Sequence, residues 1–344
     1  MTTIAPSLSA ALPLKLEPRG VLQAIGGTPL VELERIAAAS PIRVFAKLES
    51  LNPGGSIKDR PALNMLLGKI ERGDLEPGRS VVVESSSGNL GIGLAQVCRY
   101  LGLRFVCVVD PKTTEQNVAL MRAYGAEIEV VEERDPETDE YLPTRIRRVR
   151  ELSETLPDAY WPNQYANLLN AGAHVTTMRE IVEALSYVDY LFCATSSCGT
   201  LRGCSRYVRR HGLETTVVAV DAVGSAIFGQ APARRMIPGH GAAARPALYR
   251  DDLADQVVHV TDLECVVGCR RLALREAVLA GGSSGAVVSA VERLRDEIPE
   301  EAICALILPD RGERYLDTIY SDAWVEEHFG DVFHLWEEED WAPC

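Results

Sequence analysis

The feature that most restricts this chain is a series of short β-branched runs that recur between stretches with helical spacing. The runs are VFAKLE at 44–49, SVVVES at 80–85, RFVCVVD at 104–110, EIEVVE at 127–132, DYLFCAT at 189–195, TVVAVD at 216–221 and ICALILPD at 303–310. Strands that alternate with helices form parallel sheets, because a parallel neighbour is reached only through a long crossover. These runs are apolar at consecutive rather than alternate positions, which fits sheets covered by helices on both faces. The spacing predicts helices over Leu90–Tyr100, Glu115–Tyr124, Val175–Tyr187 and Leu263–Leu279, several closing at a glycine such as Gly102 or Gly125. The fold class is α/β: two doubly wound domains with central, mostly parallel sheets. A length of 344 residues is ample for that arrangement. Glu132–Pro143 reads as a surface excursion and Pro157–Asn170 as a crossing segment between domains.

Charge and cysteine content remove several classes of function. A formal net charge of −14 argues against nucleic acid or an anionic membrane as partner, since both recruit clustered Lys and Arg. Any anionic substrate must then be held by local donors. The nine cysteines include no C-x-x-C pair, so neither a disulfide framework nor a metal site is expected, and reduced thiols are the simpler reading. Residues 1–16 lack a basic start before their apolar stretch, and no run reaches bilayer length. The expectation is a cytoplasmic protein with a loose N-terminal arm and a solvated tail, WEEEDWAPC.

Four loops at element ends carry the chemistry. Asn52-Pro53-Gly54-Gly55-Ser56-Ile57-Lys58-Asp59-Arg60 lies between a strand and the helical stretch Pro61–Ile70. A lysine at such a junction can be partly desolvated, which frees its amine for imine formation; a surface lysine in a turn is the plainer alternative. Ser85-Ser86-Ser87-Gly88-Asn89-Leu90-Gly91 links a strand to a helix and can receive a carboxylate on N–H groups and hydroxyls. Thr195-Ser196-Ser197-Cys198-Gly199-Thr200 repeats that geometry and could cradle a phosphate. Gly281-Gly282-Ser283-Ser284-Gly285 separates two helices and offers small hydroxyls. Each loop alone is an ordinary helix-capping arrangement. Nucleotide motifs are missing: there is no G-x-x-x-x-G-K-[ST] and no G-x-G-x-x-G opening a βα turn, and the Gly91-Ile92-Gly93 pair lies inside a helix. The six histidines stand in ordinary settings. His174 starts a helix and reads as structural.

Taken together with Ile25-Gly26-Gly27-Thr28-Pro29-Leu30-Val31, the four loops resemble, in order, the fold-type-II pyridoxal-phosphate family of cysteine synthases and cystathionine β-synthases. The resemblance implies pyridoxal 5'-phosphate as cofactor, held by Lys58 as a Schiff base, with Asn89 on its 3-oxygen. It places Ser196, Ser197, Cys198, Gly199 and Thr200 on the cofactor phosphate and Ser283 at the pyridine nitrogen. A neutral hydroxyl there makes the ring a weaker electron sink and suits β-elimination. Ser86, Ser87 and Gln164 match positions that hold the substrate carboxylate. The expected smaller domain, 46–164, carries that carboxylate loop; residues 1–45 and 165–344 form a larger domain with the phosphate loop. The common family sequence has Thr on either side of Ser-Gly-Asn, where this chain has Ser86 and Leu90, a departure that bears on the leaving group accepted.

Longer stretches, among them Cys107–Lys112, Pro162–Asn167, Gly224–Gly229 and Leu308–Asp317, resemble a siderophore-pathway branch of that family. Members of the branch join O-phospho-L-serine to the amine of L-glutamate, giving N-(2-amino-2-carboxyethyl)-L-glutamate, a precursor of 2,3-diaminopropionate, and phosphate. The resemblance implies small-molecule substrates and a homodimer, and it puts Tyr165 where ordinary cysteine synthases carry Phe. Lys58 would act as general base at the α-carbon. Arg145, within Thr144-Arg145-Ile146-Arg147-Arg148, is the candidate for gripping glutamate, against the alternative of a solvated basic helix face. Arg234, Arg235 and His240 are candidates for a mobile lid. Cysteine synthase and cystathionine β-synthase remain enzymatic alternatives, and a catalytically silent binding module the non-enzymatic one. A redox sensor built on Cys198 is a further alternative, because a helix N-terminus favours a thiolate.

Overall fold

The computed structural model describes residues 16–38 and 41–336. Residues 1–15 of the expected arm, and the tail beyond Trp336, lie outside the described residues. The strands are β1 (Leu30–Glu32), β2 (Arg43–Leu48), β3 (Val81–Ser85), β4 (Arg104–Val109), β5 (Glu127–Val130), β6 (Ala159–Tyr160), β7 (Tyr190–Ala194), β8 (Thr216–Ala222), β9 (Gln256–Val260) and β10 (Ile303–Leu308). The helices are α1 (Asp59–Ile70), α2 (Asn89–Leu101), α3 (Glu115–Ala123), α4 (Tyr141–Thr155), α5 (Leu168–Leu185), α6 (Gly199–Arg210), α7 (Asp262–Glu276), α8 (Gly282–Leu294) and α9 (Asp322–Phe329).

Six strands form one sheet in the order β1-β2-β10-β7-β8-β9, and four form another in the order β5-β4-β3-β6. Every pairing is parallel except that of β1 with β2. The run of consecutive apolar residues in each central strand has its reason here. In the larger sheet Phe192, Val218, Val220, Cys304 and Leu306 face α7 and α8, while Leu191, Cys193, Val217, Ala219 and Ala305 face α5 and α6. In the smaller sheet Val82, Phe105, Cys107 and Val109 pack toward α1 and α2, and Val81, Val83, Val106 and Val108 toward Val149 of α4. A strand buried on both faces has no polar side to alternate with.

Several expectations need correction. Strand β2 crosses the expected boundary at 46 and belongs entirely to the six-stranded sheet. The three strands absent from the sequence reading, β1, β6 and β9, all lie at sheet edges, and β1 and β6 are only three and two residues long. Short edge strands carry little apolar pattern. Helix α5 begins at Leu168 rather than near Val175, so His174 lies well inside it, and Asn167 caps it by accepting from Leu169 N at 2.9 Å. Gly282–Gly285 is the first turn of α8 rather than a spacer between helices. With Gly281 these residues have the form G-x-S-x-G, but no named strand runs into them, so they do not build the strand-to-helix elbow of a serine hydrolase. A Cβ on Gly285 would collide with the Cys265 carbonyl oxygen, so the glycine allows α8 to press against α7. Trp336, expected in a solvated tail, is buried in the core and meets Phe333 edge to face at 5.5 Å.

Candidate active site

In the smaller sheet the chain builds outward from β3 and then returns to its other side, and in the larger sheet it does the same from β7. The reversal falls between β3 and β6 in the smaller sheet and between β7 and β10 in the larger. Ligands of open α/β sheets bind at such switch points, beyond the carboxyl ends of the strands. Ser86–Gly88 follows β3, Gln164 follows β6, Ser196–Thr200 follows β7 and Asp310 follows β10. The topology thus brings together loops that are far apart in sequence.

The helix starts separate into two kinds. Helices α3, α5, α7 and α9 are capped by the side chains of Thr114, Asn167, Thr261 and Ser321. Helices α1, α2, α6 and α8, which open on the four sequence loops, have no side-chain bond from the capping residue. Helix α4 shares this feature without belonging to those loops. Ser86 Oγ accepts from Gly91 N in α2 and Ser197 Oγ from Gly199 N at 3.4 Å in α6, and the first-turn N–H groups that remain favour an anion.

Lys58 sits at the start of α1, half-buried, and desolvation lowers its pKa while the nearby Asp310 carboxylate opposes the shift. Its backbone is fixed from behind. A Cβ on Gly93 of α2 would lie 3.1 Å from the Lys58 carbonyl oxygen, which accounts for a glycine inside that helix. Asp310, to which the sequence reading gave no role, is the hub of this corner. It accepts from Asn89 Nδ2 at 2.7 Å and from the Tyr315 hydroxyl at 2.6 Å, and burial raises its pKa. Arg314 donates to Asn89 Oδ1 and, at 2.7 Å, to the Gly54 carbonyl. Asp310 pairs with Ser56 in an isolated bridge, and its carbonyl accepts from Gly281 N at 3.1 Å. Lys58, Asn89 and the segment leading to Ser283 are therefore gathered around one carboxylate. Ser283 is buried in the first turn of α8.

The loop after β7 is tied to the crossover by Asn170, whose Nδ2 donates to the Gln164 carbonyl at 2.7 Å and to Ser197 Oγ at 3.3 Å. Thr200 Oγ1 lies 3.4 Å from His174 Nε2. His174 is buried, and desolvation with the nearby Lys58 and Arg60 charges pushes its pKa well down, so it supports the loop as a neutral ring. Cys198 adopts the left-handed conformation at φ 63°, and Ser197 and Gly199 flank it. Burial, with Asp221 adding to it, raises the Cys198 thiol to about 12. That shift runs against the thiolate a sensor would need. All eight cysteines among the described residues are buried.

On the smaller sheet, Ser86 Oγ accepts from Gly91 N at 3.0 Å, leaving its hydroxyl proton for a ligand, while Ser87 is exposed and its carbonyl accepts from Asn117 Nδ2 at 3.0 Å. Gln164 is buried and Tyr165 half-buried. Glu84, also missed by the sequence reading, accepts from Trp161 Nε1 at 2.9 Å and Ser85 N at 2.8 Å, and burial raises its pKa to about 7. Arg145 lies 3.2 Å from Asp110 with only 11% of its side chain exposed, whereas Arg147 and Arg148 form the solvated face. The lid expectation fails for His240, which is enclosed, with Nε2 3.2 Å from the Val220 carbonyl. Arg235 donates to the His240 carbonyl at 3.1 Å, and Arg234 is exposed.

These features define a class. The family model for pyridoxal-phosphate dependent enzymes matches residues 21–310, and the chain belongs to that family. Its cofactor is pyridoxal phosphate, and its fold is that of the fold-type-II enzymes. The N-(2-amino-2-carboxyethyl)-L-glutamate synthase of Ralstonia nicotianae is 48% identical over 309 residues, 89% of this chain and 91% of that protein. The crystal structure of an O-ureido-L-serine synthase superposes with a TM-score of 0.81 at 31% identity, covering 90% of this chain and 99% of that one. The O-acetylserine dependent cystathionine β-synthase of Helicobacter pylori gives 0.81 at 30%, covering 89% and 100%. The residues present fit the cofactor: a desolvated lysine, an α6 start with no bond from its capping residue's side chain, and Asp310 Oδ1 buried without a hydrogen-bond partner. Among the described residues there is no cluster suited to a metal ion and no helix long and apolar enough to cross a membrane.

Proposed function

We propose that this enzyme replaces the phosphate of O-phospho-L-serine with the amine of L-glutamate, giving N-(2-amino-2-carboxyethyl)-L-glutamate and inorganic phosphate. The observation that carries the reading is the 48% identity, across 89% of the chain, to a synthase named for that product. A largely buried guanidinium, Arg145, near the edge that bears the carboxylate loop gives it physical support.

Lys58 and the Ser196–Thr200 loop would hold pyridoxal phosphate, which when bound supplies the electron sink that loosens the bonds at the substrate's α- and β-carbons. The remaining work falls to the chain. Ser86, Ser87 and Gln164 hold the carboxylate of the first substrate. The Lys58 amine, made less basic by desolvation, takes the α-proton as phosphate departs from the β-carbon. The glutamate nitrogen then bonds to that carbon and loses a proton, and Lys58 returns a proton to the α-carbon, so that one phosphate leaves for each new C–N bond. Asn89 is held by Asp310 and Arg314, which fixes its amide for one ligand orientation. Arg145 takes a glutamate carboxylate, and Tyr165 adds a hydroxyl to the pocket. The segment around the four-stranded sheet acts as the smaller domain, whose closure limits water.

The test is to mix the protein with O-phosphoserine and L-glutamate and weigh the product. The adduct should form with the wild type, and Lys58→Ala should form none. Faster turnover with sulfide than with glutamate would move the assignment to cysteine synthase.

A further inference from the structure

We propose that Asp110 and Arg145 together select the second substrate, Arg145 binding a carboxylate and Asp110 the α-ammonium, which passes one proton to the Asp110 carboxylate before its freed lone pair bonds to carbon, so that the site admits a zwitterionic amino acid. This rests on the reading that the nucleophile is an amino acid's amine.

The position follows from strand register. Strands β3 and β4 pair with Ser85 opposite Val108, so Asp110, two residues further, comes level with Ser87 at the carboxyl edge of the sheet. Asp110 Oδ1 accepts from Lys112 N at 2.9 Å, and the chain then turns into α3, whose Asn117 holds the Ser87 carbonyl. Arg145 reaches Asp110 from α4. Both side chains are nearly withdrawn from water, at 11% and 8% exposure. The contact is nonetheless poor: Arg145 Nε and Nη1 are buried and make no hydrogen bond. A guanidinium carries five N–H donors, and burying it with one loosely aligned acceptor is costly. The Arg145 charge also acts on Tyr165 and Cys107, so it faces the crossover as well as β4.

A zwitterion resolves this arrangement without changing its net charge. Its carboxylate supplies the acceptors that Arg145 lacks, and its ammonium gives Asp110 a replacement partner. Without ligand the two groups neutralise each other. Sulfide or a simple alkyl thiol carries neither group.

The experiment compares L-glutamate with glutarate, which keeps both carboxylates and lacks the amine, as an inhibitor of glutamate incorporation. In the wild type glutamate should bind at least about tenfold more tightly than glutarate. Asp110→Asn should reduce that ratio about tenfold, and Asp110→Glu should restore part of it. Affinities that fall in proportion for both ligands would make Asp110 a support only and overturn the proposal. If the Asn variant does not fold, a wild-type ratio near one overturns it alone. Product weighing separates the two claims: a wild type that uses sulfide and no amino acid refutes the functional reading first.

Discussion

Arg60 and Arg145 are both arginines withdrawn from water, and their surroundings differ in kind. Arg60, 4% exposed, donates to Glu49 at 2.7 and 2.8 Å and to Glu180 at 2.7 Å through each terminal nitrogen, with Thr28 Oγ1 at 3.3 Å. Lys47 adds a 2.7 Å contact to Glu180. Those carboxylates raise the Arg60 pKa further despite its burial. Arg145 has one poorly aligned partner. A satisfied buried charge fixes structure, here the first turn of α1 two residues beyond Lys58; an unsatisfied one is poised for a ligand.

The largest expected effect tests the satisfied side. Arg60→Met leaves Glu49 buried without its main partner and should cost about 3–5 kcal/mol in denaturant unfolding. A loss under about 1 kcal/mol would remove the contrast between the two arginines.

Next comes Glu84, a second group on the smaller sheet held against its preference for water. Its folded pKa of about 7 lies above the ordinary 4.5, so its stabilising contribution is present below pH 4.5 and is lost as pH rises through about 7. Glu84→Gln lacks that loss. Relative to wild type, the variant should therefore gain stability across this window, by up to about 3 kcal/mol, and a pH-independent difference would refute the shift.

Arg145→Met should lower kcat/KM for glutamate about 10–100-fold, with a stability loss smaller than that of Arg60→Met, because the guanidinium removed is itself poorly bonded and Asp110 keeps its bond from Lys112 N. Equal stability losses for Arg145→Met and Arg60→Met would erase the distinction from the other side. The smallest effect belongs to Arg147, 54% exposed beside Asp135 on the same helix as Arg145. Arg147→Ala should shift stability by less than about 0.5 kcal/mol and leave glutamate kinetics alone. A large kinetic loss there would return Arg145 to the general charge of its helix.

The central strands were legible because burial on both faces writes an apolar run into the sequence, as in β3, β4, β7, β8 and β10. The four loops stood out as candidates because small hydroxyl residues and glycine gather at helix starts, where N–H groups are left to be satisfied. Asp310, His174, Asn170 and Glu84 left no such signal. Each is an ordinary residue type whose importance comes from a partner distant in sequence, such as Asn89, 221 positions from Asp310. His240 misled for the same reason: a glycine- and proline-rich segment reads as mobile, and only packing against β8 and Cys265 shows it enclosed.

By itself, the sequence determined the α/β class and the parallel sheets, and it singled out Lys58 and the four helix starts as candidates, since periodicity and backbone chemistry are local properties. Tertiary structure decided which carboxylate gathers the lysine corner, which cysteine stays a thiol, and which of three neighbouring arginines leaves the solvent. Those outcomes depend on desolvation and on charges that become neighbours only when the two sheets are wound, and neither quantity exists in an extended chain.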